Sequence, residues 1–340
     1  MSRIASIFDA FRSIRVGVIG DVMLDTYCWG HVERISPEAP VPVVEVRRRE
    51  HRLGGAGNVA LNLSRLGAHV SVLSVVGADA EGEILRGLFR ELSIDDSHLL
   101  SCEDRVTTQK TRIIARNQQM MRLDSEMSTD LSAEWEDRLF DAVTAYLEEE
   151  SPQLLIFEDY DKGVLTEGLI RRVLSVCRSR GILTAVDPKK RHFLSYVGVD
   201  IFKPNLKEVR EGLGIRVEPG DTASLDAAHA ALFEKLRHRI SLITLSEHGI
   251  YHAEGGRSHR IPTHQRSIAD VSGAGDTVIA VAGLVFAVTG DMALAAEMAN
   301  IAGGVVCEEV GTVAISRERL EAECRRLMSD ADGKDAASRP

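Results

Sequence analysis

Residues 270–277 read Asp270-Val271-Ser272-Gly273-Ala274-Gly275-Asp276-Thr277, and a small, apolar run from Val278 to Phe286 follows. The pattern is a glycine turn opening a helix, with a carboxylate in the first helical turn. The N–H groups of a first turn have no partner within the helix, and the helix dipole favours negative charge beside them. Such a turn suits an anion that develops as a phosphoryl group is transferred, held by the N–H groups around Gly273, Ala274 and Gly275. Asp276 then stands as a base for an incoming hydroxyl. A plain helix start, with Gly for the turn and Asp for the cap, fits the octet as well.

A second glycine run, Gly54-Gly55-Ala56-Gly57-Asn58-Val59-Ala60, also opens a helix. Leu63 and Leu66 fall at helical spacing beyond it, and Gly67 suits a C-terminal cap. Adjacent glycines at 54 and 55 let a ligand approach the main chain, and Asn58 can both donate to and accept from a hydroxyl. The two segments in this order resemble the two signatures of the ribokinase-like (PfkB) carbohydrate kinases, and the resemblance runs over residues 14–325. It implies ATP as donor, Mg2+ as cofactor, Asp276 as catalytic base, and a fold with a small β-sheet lid over the sugar. A lid excludes water, which would otherwise compete with the sugar for the phosphoryl group.

Composition sets the frame. The 340-residue chain is 44% hydrophobic and can bury a substantial core. No apolar run is long enough to span a bilayer, and the first fifteen residues read as a short amphipathic helix, not a secretory signal. A net charge of −10 argues against nonspecific nucleic-acid binding. The five cysteines lack metal-type pairing and the eleven histidines lack metal-ligand spacing, which fits reduced thiols in a cytoplasmic protein. Short apolar runs at 16–19, 41–46, 70–76, 154–157, 183–186 and 242–245 read as strands, the second as an edge strand because of Pro40 and Pro42. Helical stretches at 80–92, 132–147, 166–180 and 223–239 lie between them, which predicts an α/β fold with a mainly parallel sheet flanked by helices. Residues 28–53 and 103–123 break the alternation and are where the family builds its lid. Residues 1–329 are thus expected to form one kinase domain, and the polar stretch 330–340 a disordered tail.

The resemblance assigns further residues. Pro204-Asn205-Leu206-Lys207-Glu208 matches the family's Asn-x-x-Glu element, which supports magnesium and the triphosphate; Mg2+ keeps several waters, so Glu208 can act through one. A helix start with a favourable acid is the plainer reading. Thr244, Ser246 and Gly249 correspond to the turn near the nucleotide, and Asn300 is placed near the adenine. Asp270 is either structural or a contact for the monovalent cation, such as K+, that many relatives bind. Ser272 stands where relatives commonly carry Thr. On the acceptor side, Asp21 and Asp25 end the first strand; Asp25 is assigned to the sugar and Asp21 to support.

Within the family, Gly20 to Asp25, Arg34 to Val43, Lys110 to Arg112, Arg116 to Asp124 and Asp159 to Gly163 resemble the heptose 7-phosphate kinases, which phosphorylate an anomeric hydroxyl to give a 1,7-bisphosphate. An acceptor that already carries phosphate needs cations, and Lys110, Arg112, Arg116, Arg122, Lys162, Lys189 and Arg191 are available, with Lys189, beside Asp187, and Lys110 and Arg112 the best placed. Glu158 and Thr26 depart from those enzymes, which often carry a small and a basic residue there; neither is expected to touch the catalytic elements. No His-x-Gly-His nucleotidyltransferase element occurs, so the expectation is a kinase served by a separate adenylyltransferase. Pairing into a homodimer through the lid is a further implication. Another sugar kinase of this fold, or an inactive sugar-binding relative, remains open; a dehydrogenase does not fit, because Gly17 to Asp21 lacks the third glycine of the dinucleotide fingerprint.

Overall fold

The computed structural model describes residues 3–116 and 118–337, with 329–337 as backbone alone; Asn117 and residues 338–340 of the expected tail lie outside them. After helix α1 (Arg3–Ala10), strand β1 (Arg15–Gly20) runs directly into β2 (Val22–Ile35), which returns as β3 (Pro42–Gly55). Helix α2 (Ala56–Leu66), β4 (His69–Gly77), α3 (Ala80–Glu91) and β5 (Leu99–Cys102) come next, then the hairpin of β6 (Gln109–Ala115) and β7 (Gln118–Ser125). Alternation resumes with α4 (Ala133–Glu149), β8 (Leu154–Glu158), α5 (Glu167–Arg180), β9 (Leu183–Asp187) and β10 (Ile201–Phe202). The chain then passes through α6 (Leu206–Leu213), α7 (Thr222–Leu236), β11 (Ile240–Thr244) and the hairpin of β12 (Ile250–Glu254) and β13 (Arg257–Ile261). Helices α8 (Ala274–Thr289), α9 (Met292–Val306) and α10 (Arg317–Ala337) complete it.

Nine strands form the main sheet in the order β13-β12-β11-β10-β9-β8-β1-β4-β5. It is parallel except for β12 and β13 at one edge. Strand periodicity divides its side chains between two cores. Val16, Val18, Leu154, Ile156 and Ala185 face the helices α1, α2, α8 and α9, whereas Ile19, Leu155, Phe157 and Val186 face α4, α5, α6 and α7. The same alternation sends Glu158 and Asp187, the last residues of β8 and β9, to the side of α8.

A separate four-stranded sheet, β3-β2-β6-β7, forms the lid. The apolar run at 41–46 is indeed part of an edge strand, but of this sheet, and the strand continues through six charged or polar residues, Arg47 to Arg52, before reaching Gly55. Pairing with β2 over its full length overrides that polarity. The backbone is helical to Ala337, well into the stretch predicted to be a tail, and Ala and Lys there favour helix. Among the described residues no helix is long and apolar enough to cross a membrane.

Candidate active site

Gly20, Glu158 and Asp187 stand side by side in register at the carboxyl ends of β1, β8 and β9. In a parallel sheet this edge is where ligands bind. Lys203, which follows β10 and is almost fully buried, places Nζ 2.7 Å from Asp187 Oδ2. Lys189 Nζ lies 3.4 Å from Asp187 Oδ1 and 2.9 Å from Glu208 Oε1. Burial pushes the Asp187 carboxyl up, but the two lysines outweigh this and hold it below its ordinary value. Burial likewise disfavours the Lys189 ammonium, while Asp187, Glu208 and Glu158 hold it above its ordinary value.

The first turn of α8 covers this pair: a Cβ at Gly275 would stand 3.5 Å from Asp187 Oδ2 and 3.6 Å from Lys203 Nζ. Gly273 caps the helix at φ +78°, a left-handed conformation that glycine adopts freely. Asp276 is buried, and its carboxylate accepts from Asn58 Nδ2 at 2.7 Å and from the Tyr160 hydroxyl at 2.8 Å. Burial pushes Asp276 up to about 6 against those two bonds. The two glycine segments therefore meet. Asn58, read from sequence as a partner for a substrate hydroxyl, donates to Asp276 here, and Asn62 ties the arrangement by donating to Asn58 O at 2.8 Å and accepting from Thr277 at 3.2 Å.

Glu158 corrects an expectation. It is fully buried, and one of its oxygens lies within 4.8 Å of an oxygen of both Asp187 and Asp276, against the elements expected from sequence to be catalytic. Burial first, and then these two neighbours, push its carboxyl well above the ordinary value. Sequence reasoning saw Glu158 as a departure but lacked the register that sets it beside Asp187. Thr26, the other departure, lies in the lid, bonded to His51 Nδ1 at 2.9 Å and Gln109 Nε2 at 3.1 Å.

On the acceptor side, Asp21 accepts from the backbone N–H groups of Tyr160 (2.8 Å), Lys162 (3.1 Å) and Val164 (3.1 Å), so it fixes the loop that carries Tyr160. Asp25 pairs with Arg112 Nη1 at 2.6 Å. Gly54 and Gly55 let the end of β3 close against these acids. A Cβ at Gly54 would sit 2.7 Å from Asp25 Oδ2, and one at Gly55 would collide with Asp21 O. Lys110, opposite Asp25 in the β2–β6 register, has no ion-pair partner among the described residues; its Nζ lies 5.7 Å from the Tyr160 ring centre, and that of Lys189 5.2 Å. Burial lowers the Lys110 ammonium below its ordinary value despite Asp25. The other cations are engaged elsewhere: Arg122 by Asp124, Lys162 by Glu126, Arg191 by Asp130 and Arg116 by Val32 O.

On the nucleotide side, Asn205 and Glu208 form a capping box at the start of α6, with bonds of 2.8 and 2.7 Å. Both Glu208 oxygens are thus engaged, one by Asn205 N and one by Lys189. Leu206 packs into the core and Lys207 points to solvent beside Glu211, so neither side chain joins the site. Thr244 bridges to Asn205, Ser246 is exposed at φ +53°, and Gly249 admits the close approach of Ile261 O. Asn300 donates to Pro262 O at 2.8 Å, fixing the segment before the glycine turn. Asp270 accepts from Ser272 N (3.0 Å), Ser272 Oγ (2.8 Å) and Gly311 N (2.9 Å), bracing that turn.

Residues 13–319 match the family model described as pfkB family carbohydrate kinase. The chain belongs to that family. It is an ATP-dependent sugar kinase. Among curated PfkB relatives, the bifunctional protein HldE of Desulfatibacillum aliphaticivorans is 42% identical over 92% of this chain and 63% of its own length. The same-named protein of Geobacter metallireducens is 42% identical over 97% of this chain and 67% of its own. The chain thus spans about two thirds of the length of these relatives. The tetrameric inhibited form of phosphofructokinase-2 from Escherichia coli shares the fold at TM-score 0.77 and 17% identity, covering 93% of this chain and 99% of that one. Ribokinase of Arabidopsis thaliana, complexed with ribose and ATP, does so at TM-score 0.69 and 15% identity, covering 91% and 98%.

Proposed function

We propose that this PfkB kinase phosphorylates D-glycero-β-D-manno-heptose 7-phosphate at the anomeric hydroxyl, giving the 1,7-bisphosphate on the way to the ADP-activated heptose of lipopolysaccharide core, in the cytoplasm. The observation that carries the choice of a phosphorylated acceptor is Lys110. It is a partly buried cation at the foot of the lid, beside Tyr160, with no carboxylate partner among the described residues. A phosphate on the acceptor completes that charge. The relatives named HldE support the choice within the family.

In this reading Asp276 takes the proton of the anomeric hydroxyl as its oxygen bonds to the γ-phosphorus and the bond to the β-phosphate oxygen breaks, releasing ADP. Asn58 and Tyr160 aim the carboxylate, and the N–H groups at the head of α8 hold the charge on the transferred group. Lys189 and Lys203 add positive charge at the floor of the site. The oxygen-rich set of Asp187 and Glu208 fits Mg2+, and because both Glu208 oxygens are engaged, Glu208 would hold it through water. Bound there with the triphosphate, Mg2+ neutralises phosphate charge. Asp270, with its bracing bonds on the glycine turn, is where a monovalent cation such as K+ would act.

The test is ATP-dependent phosphorylation of heptose 7-phosphate, fructose 6-phosphate, ribose, fructose and adenosine, with product position read by phosphorus NMR. A new anomeric phosphate on the heptose alone supports the proposal. Preference for an unphosphorylated acceptor rejects it, and silence on every acceptor with ATP still bound points to a sugar-binding relative. The lid also exposes Ile35, Val46, Met120, Met121 and Leu123, an apolar surface that a second copy of the chain would cover. Light scattering is expected to give twice the 37.2 kDa chain mass, and the single mass would remove the dimer.

A further inference from the structure

We infer that Glu158, Asp187 and Asp276 form a binding site for a hard divalent cation that the protein takes up without nucleotide. Each residue offers one carboxylate oxygen, these lie within 4.8 Å of one another, and all three residues are buried. Mg2+ binds oxygen at roughly 2.0–2.1 Å, so its ligands stand at most about 4.2 Å apart, and small side-chain adjustments bring these three oxygens onto one ion. The set holds no nitrogen or sulfur, which favours Mg2+ or Mn2+ over softer metals.

The independent pointer is Glu158 itself. It is fully buried, and neither carboxylate oxygen has a hydrogen-bond partner among the described residues. Buried carboxylates are otherwise paired or bonded, because the uncompensated group is costly. A proton shared with the Asp187 or Asp276 carboxylate is the alternative to a cation here, and titration with a metal separates the two. Neighbouring cations act on it only at a distance, without an ion-pair contact among the described residues. Lys203 and Lys189 sit on Asp187, and Lys189 is shared with Glu208, while Asp276 meets only the neutral donors of Asn58 and Tyr160. Sheet register explains how the three acids converge. Glu158 and Asp187 are paired residues on adjacent strands with side chains on the α8 face, and Asp276 arrives from the first turn of α8. Like charges so placed repel unless something lies between them. The site shares Asp187 with the Mg2+ set of the proposed function but does not include Glu208, whose oxygens the capping box and Lys189 engage.

The experiment is titration of chelator-stripped, nucleotide-free protein with Mn2+. Bound ion is read by loss of the free-ion electron paramagnetic resonance signal, and melting temperature is followed in parallel. Wild type is expected to bind one Mn2+ per chain and to melt higher with it. Glu158→Gln is expected to weaken binding by roughly 10-fold or more, as loss of a metal-supporting group does. Glu158→Met, which removes the unpartnered buried carboxyl at similar size, is expected to melt higher than wild type in chelator and not to respond to Mn2+. Absence of binding by wild type, or binding by the Glu158 variants equal to that of wild type, would each overturn the site. The titration contains neither ATP nor sugar, so its outcome is separate from that of the heptose reading.

Discussion

Asp276→Asn is expected to leave ATP binding nearly intact while turnover falls by roughly 100-fold or more, the range for loss of a general base. The amide keeps the size of the side chain and can still accept from the Tyr160 hydroxyl, but it cannot take a proton. Its NH2 group also replaces the oxygen that accepts from Asn58 Nδ2, setting donor against donor. The pH profile separates loss of the base from general damage. Burial raises the Asp276 carboxyl to about 6, opposed by Asn58 and Tyr160. Only the ionised form can act, so wild-type kcat/KM is expected to be full above that value and to fall as pH drops through about 6. The variant should lose this acid limb along with the rate. Near-normal turnover in Asp276→Asn, measured alongside ATP binding, would remove the residue from its role.

The sequence carried the local parts of this site and little of how they meet. The glycine turn at 273–275 and the acid at 276 follow from backbone rules that act within a few residues, and the structure places them at the head of α8. Asn205 and Glu208 were legible in the same way, and both readings of that element concern the same atoms: it is a helix cap, and the cap presents it to the site. Asn58 and Tyr160 were not legible as partners of the base, because they reach it from 218 and 116 residues away. Nor could spacing reveal that Glu158 faces Asp187, which depends on the pairing of β8 with β9 and on the face their last residues share. Lys203 belongs to no motif, and only its burial against Asp187 shows its part in the site. The same limit applied to the lid, where β2 and β3 each run for fourteen residues. Their polar halves give no strand signal alone, since strand pairing supplies what propensity does not.

Lys110→Met is expected to lower kcat/KM for the phosphorylated acceptor by roughly 10- to 100-fold, chiefly through KM, while the KM for ATP stays near its wild-type value. Of the three best-placed cations, Lys189 already meets Asp187 and Glu208, and Arg112 already meets Asp25. Lys110 alone of these three lacks a carboxylate in ion-pair contact among the described residues, and burial holds its ammonium below its ordinary value. A phosphate beside it both restores the favoured charge and supplies the missing oxygen acceptors. Methionine preserves the length of the stem and can keep a contact with the Tyr160 ring, so the variant removes charge without opening a cavity. The measurement that checks it compares the phosphorylated sugar with the same sugar lacking phosphate. Loss confined to the phosphorylated acceptor assigns Lys110 to the phosphate. Equal loss on both would make it a packing residue of the lid, and no loss on either would leave the phosphate to be held elsewhere.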